Sequence, residues 1–113
     1  MFSLSTKARA AYLKTGVTDL RLSYEGLFAL ARTLLHDDPR CGDLFVFCNR
    51  QKTRIKILRF DGSGLWVCAK RLEKSTFSWP QQGDMRRPVE LVQLQALLEG
   101  YELTAKRIWF NRE

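Results

Sequence analysis

The chain reads as an α+β domain: an antiparallel β-meander of about four to five strands with two helices packed on one face. Three observations predict this. Residues 24–36 carry a helical apolar period. Residues 43–72 hold three strand signals in series around an Asp61-Gly62-Ser63-Gly64 turn. Residues 88–99 hold a second helical run between Pro88 and Gly100.

Taken in order, residues 8–15 read as a short strand that Gly16 ends, and residues 16–22 connect it onward. Ser23 is a candidate N-cap for the first helix, and Glu25 suits the positive end of its dipole. Leu27, Leu30, Ala31 and Leu34 then fall on one face, and Asp38-Pro39 stops the run. Residues 43–49 are apolar on both faces, as a central strand requires. Residues 53–60 alternate, with Ile55 and Ile57 on one side and Arg54 and Lys56 on the other. The Asp61–Gly64 turn returns the chain into a strand over 65–72, and Phe77-Ser78-Trp79 adds a short edge. Pro88 opens the second helix, which carries Leu91, Leu94, Leu97 and Leu98, and Gly100 closes it. The whole, 1–113, is one domain, with a tail over 102–113 that reads either as a strand or as loosely ordered, Trp109 and Phe110 favouring some packing.

Composition narrows the function. The chain has 113 residues, 45% hydrophobic and 27% charged, which suits a folded soluble domain and not a disordered one. No apolar run is long enough for a membrane span. Lys7, Arg9 and Lys14 interrupt the start, so a secretory leader is not expected. Cys41, Cys48 and Cys68 make no CxxC pair, so free thiols in a reducing cytoplasm are expected rather than disulfides or a zinc site with His36. Neither a metal nor a cofactor is expected.

The net charge is +7, and it is concentrated. Residues 50–74 hold Arg50, Lys52, Arg54, Lys56, Arg59, Lys70, Arg71 and Lys74 against only Asp61 and Glu73. Such asymmetry points to a polyanion. On adjacent strands of a basic hairpin these charges can meet phosphates, which gives affinity with little sequence readout. The expected nucleic-acid contacts are Arg50, Lys56, Lys70 and Arg71, with Lys52, Arg54 and Lys74 assisting. A solvated basic face is the plain alternative. Trp66 and Phe60 can stack on bases, although core positions suit them better.

Catalysis has little support. Asp37, Asp38 and Asp43 surround a proline turn, where acids are ordinary turn formers, and Asp19, Asp61 and Glu73 are widely spaced. No GxSxG elbow and no phosphate-cradling glycine loop is present, so the chain is not expected to be an enzyme. Phe77 and Trp79 can form an aromatic anchor for a protein partner, or pack on the core as the end of a strand.

Three blocks of sequence carry a family resemblance. They are Thr15-Gly16-Val17-Thr18-Asp19-Leu20-Arg21 with Glu25-Gly26-Leu27; Gly42 to Arg50 with Lys56-Ile57-Leu58; and Asp61-Gly62-Ser63-Gly64-Leu65 with Lys70-Arg71-Leu72-Glu73 and Phe77-Ser78-Trp79-Pro80. Together they resemble the TnpB-type accessory protein of the insertion-sequence family numbered sixty-six, from about Tyr12 to Tyr101. The chain departs from that pattern at Leu20 and Leu22, at Arg59, where an aromatic is common, and at Ser75, where glycine is usual. The resemblance implies an accessory role in transposition and DNA recombination, without catalytic residues, metal or cofactor of its own. Its implied partners are DNA at the element ends and the transposase. A protein-interaction adaptor that binds transposase with little DNA contact is the alternative. Asp19 and Arg21 are expected to form a loop pair capping the first helix, with a partner-binding role as the alternative.

Overall fold

The computed structural model describes residues 10–33 and 38–100. Five strands form one sheet: β1 (Ala11–Lys14), β2 (Leu44–Cys48), β3 (Arg54–Phe60), β4 (Leu65–Arg71) and β5 (Arg86–Val89). Helix α1 (Tyr24–Thr33) lies between β1 and β2, and α2 (Leu91–Leu98) follows β5. The strand order is β4-β3-β2-β1-β5. The α+β class and the strand count agree with the sequence reading. Among the described residues, no helix is long and apolar enough to cross a membrane.

β2, β3 and β4 form the expected antiparallel meander. β1 instead pairs parallel with β2, with Ala11 opposite Leu44, and antiparallel with β5. The parallel pair is possible because α1 carries the chain back between the two strands. The sheet is therefore mixed.

The two helices do not share a face. Phe45, Phe47 and Leu58 point toward α1, where Leu27 and Ala31 meet them. Leu44, Val46, Cys48, Ile55 and Ile57 point the other way, toward Leu94 and Leu97 of α2. The cause is β2, buried along its whole length, which needs cover on both sides. Tyr12 stacks on Phe45 at 5.7 Å and extends the α1 layer.

Pro88 does not open α2. It lies in β5 opposite Tyr12. The Thr15 N–H donates to the Met85 carbonyl at 2.9 Å, which makes Ala11–Val89 and Leu13–Arg87 the hydrogen-bonded pairs. The position of Pro88 therefore faces outward, where a missing N–H costs nothing. Glu90 is the N-cap, and its N–H donates to Gln93 Oε1 at 2.8 Å.

Phe77 and Trp79 form no strand, but both are core. Phe77 is 1% exposed and Trp79 6%, and the Trp79 indole donates to the Lys14 carbonyl at 3.0 Å. The structure gives both rings to packing, so neither presents a surface to a partner. His36, Leu34 and the tail over 102–113 lie outside the described residues.

Candidate nucleic-acid interface

The basic residues gather through the hairpin register. The Asp61 N–H donates to the Gly64 carbonyl at 3.1 Å, and this closes the turn. Each residue of β3 is then matched in β4, and Arg54 lies opposite Arg71. The next pair on that face is Lys56 opposite Ala69. Two arginines directly across a sheet repel one another. Beside them, the small Ala69 leaves room under the long Lys56.

These residues line an open cleft of about 400 Å³ together with Leu20. The cleft lies on the α1 face, at the end of the sheet where β3 begins and β4 ends. Lys56 Nζ donates to the Leu22 carbonyl at 3.1 Å, which fixes its ammonium at the wall. Arg71 reaches Glu73 at 3.2 Å, but both side chains are more than half exposed. Such a pair contributes little and yields readily to a stronger anion.

The neighbouring loops add charge at the same end. Leu72 N–H donates to the Thr53 carbonyl at 2.8 Å, and Phe77 N–H to the Lys52 carbonyl at 2.7 Å. The segment carrying exposed Lys74 thus runs beside the turn carrying exposed Arg50. Thr18 N–H donates to the Cys48 carbonyl at 2.8 Å, which brings the Asp19–Arg21 loop alongside.

Lys52 sits in this turn at φ 61°, in the left-handed region. That conformation costs a lysine roughly 1–2 kcal/mol and a glycine almost nothing. Lys52→Gly should therefore hold or raise stability in a urea titration, while the salt slope of any DNA binding shrinks by about one unit. A drop in stability would show that the Lys52 side chain supports the turn.

Adjacent Lys70 borders the cleft, as Ile55 does, but its ammonium does not point into it. Its side chain turns to the α2 face and donates to the Leu98 carbonyl at 2.7 Å. There its charge meets the negative end of the helix dipole. Strand alternation sends the Lys70 and Arg71 side chains to opposite faces of β4.

Asp19 and Arg21 do pair, through side-chain contacts of 3.0, 3.2 and 2.8 Å, but their bonds stay within the turn before α1. Asp19 receives its main-chain bond from Arg21 itself and caps no helical N–H. The Arg21 bonds hold the Asp19 carboxyl down at about 2, and Arg40 does the same for Asp38. Asp61 is held lower still. It accepts from the Ser63 backbone first, then from Trp66, the Gly64 backbone and the Ser63 hydroxyl. Folding lowers all three carboxyls below the unfolded value of about 3.9. Their contribution to stability is thus present above that pH and is lost as pH falls through the lowered values. Urea midpoints should stay flat from neutral pH to about 5 and fall below about 4, and Asp61→Asn should make that acid limb shallower. An acid limb unchanged in Asp61→Asn would remove the turn carboxylate from this account.

Sequence reasoning missed three features. Leu20 and Ala69 carry no charge signal, yet they shape the cleft. Trp66 is 51% exposed instead of packed in the core, and its indole N–H is held by Asp61 at 2.7 Å. The aspartate five positions earlier, in a turn, is the one hint the sequence offers. Among the described residues, no group of three or more His, Cys, Asp or Glu could hold a metal ion.

Comparison with known proteins agrees with the sequence resemblance. A family model described as IS66 Orf2 like protein matches residues 9–108. Two proteins of Sinorhizobium fredii, each titled an uncharacterized protein, are similar. One, y4hO, is 32% identical over 91 residues, covering 80% of this chain and 79% of its own. The other, y4jC, is 33% identical over 90 residues, covering 80% and 77%. No solved structure matches.

Proposed function

The chain belongs to the IS66 Orf2-like family, and from that premise we propose that it is a non-enzymatic accessory factor that binds DNA backbone during transposition of its insertion sequence. Membership ties the chain to transposition. The DNA contact rests on one observation: Arg54 faces Arg71 across the hairpin, with Lys56 beside them over an open cleft. A phosphate between the arginines turns their mutual repulsion into two attractions. Arg50, Lys52 and Lys74 extend the positive surface along the same end of the sheet. Lys70 is left to hold α2.

The test is binding to a labelled duplex of the element's terminal repeat, beside a scrambled duplex, across a salt titration. With four to six phosphate contacts, log K should fall against log salt with a slope of about −4 to −5. Preference for the terminal repeat makes the protein an end-recognition factor. Equal, salt-steep binding to both duplexes leaves sequence choice to the transposase. No binding to either overturns the reading and leaves the transposase itself as the partner.

A further inference from the structure

The two edges of the sheet are built differently. β5 is four residues long, and Pro88 removes an outward donor, a common protection for an edge. β4 is seven residues long and has no proline. Among the described residues, no strand pairs with its outer side. The Leu72–Thr53 and Asp61–Gly64 bonds direct the backbone of Trp66, Cys68 and Lys70 inward to β3. The backbone N–H groups of Leu65, Val67, Ala69 and Arg71 therefore face out.

We propose that a second copy of this chain pairs with that edge, antiparallel, about a two-fold axis through Cys68. The outward groups fix the parity of the register, and the side chains fix its position. In this register Trp66 lies opposite the partner's Lys70, and Lys70 opposite the partner's Trp66. Arg71 lies opposite the partner's Leu65, and Val67 opposite the partner's Ala69. No two like charges meet. Each exposed Trp66 ring, already anchored through Asp61, receives a lysine stem whose ammonium stays on the Leu98 carbonyl of its own chain. A shift of two residues either way removes both tryptophan–lysine pairs. The strand is thus complementary to itself in one register, and the pairing completes a continuous ten-stranded sheet. The inference does not depend on DNA binding, and its test contains no DNA.

Sedimentation equilibrium should give twice the 13.2 kDa chain mass. A mass of 13.2 kDa across the dilution series overturns the proposal. Ala69→Pro removes one outward N–H and no bond to β3, so it should yield a monomer with an unchanged far-ultraviolet spectrum. If that variant misfolds, Trp66→Lys serves in its place, since it sets lysine against the partner's Lys70 from an exposed position. A variant that stays folded and dimeric overturns the proposal. The register has its own check. Facing residues in a non-hydrogen-bonded pair have Cα atoms about 4.5 Å apart, within the range a disulfide spans. In a Cys41→Ser background, diamide should accept two electrons and two protons from two Cys68 thiols and leave a linked dimer that Cys68→Ser abolishes. Buried Cys48, whose thiol burial pushes up to about 12, should stay unreacted. Failure to form the Cys68 link overturns the register.

Discussion

Replacing Arg54 and Arg71 together with alanine should weaken DNA binding about a hundredfold, because each charge-assisted bond to phosphate contributes about 1.5 kcal/mol. The salt slope should shrink by about two units. The same change should leave stability in urea unchanged or slightly higher. The two effects have opposite signs because the arrangement has two faces. In the free protein the arginines oppose each other across β3 and β4, which costs stability. In the proposed complex they would share a phosphate. Folding stability and binding measured on one preparation therefore separate a ligand site from a structural one. If both fall together, the arginines serve the fold, and phosphate contact must be sought elsewhere. Lys70→Ala is the matching control. It should lower stability by loosening the end of α2 and change DNA affinity little.

The second large effect is on folding. Trp79→Ala should cost about 3–5 kcal/mol, a large part of what a domain of this size possesses. The ring is 6% exposed, packs in the core beside Phe77, and satisfies the Lys14 carbonyl. Trp79→Phe should cost less, since it keeps most of the volume and orphans only that carbonyl, at about 1–3 kcal/mol. Denaturant midpoints for the two variants check the order. A stable Trp79→Ala protein defective only in transposase binding would restore the anchor reading of this segment.

How much of this was legible in the sequence depends on how local each signal is. The meander was legible, because the Asp61–Gly64 turn and the alternation of β3 are contained in one stretch. The same turn fixes Arg54 opposite Arg71 by counting outward from it. Alternation likewise sends the Lys70 and Arg71 side chains to opposite faces, which is readable from the sequence. The place of β1 was not legible. Four residues, Ala-Tyr-Leu-Lys, carry no mark of partners found at Leu44 and Val89. The sides taken by the helices followed from that gap. The two-sided burial of β2 was visible as an apolar run, but an all-antiparallel meander offered no reason to divide the helices. Pro88 suits the first turn of a helix and the outer side of an edge strand equally well, and only the pairing with Tyr12 chooses between them.

The place of β1 between β2 and β5 sets an order of assembly. It leaves the ribosome before the four other strands, yet its neighbours are supplied by β2 and, much later, by β5. The β2–β4 hairpins close over short loops and can form while synthesis continues. The N-terminal strand must wait for residues near Val89, so the last sheet contacts carry the largest loop-closure cost. A reading frame interrupted between β2 and that point would yield a chain with β1 unpaired on one side. Such a product would expose backbone that promotes aggregation, so a damaged copy of the gene is more apt to give misfolded protein than a shortened working one.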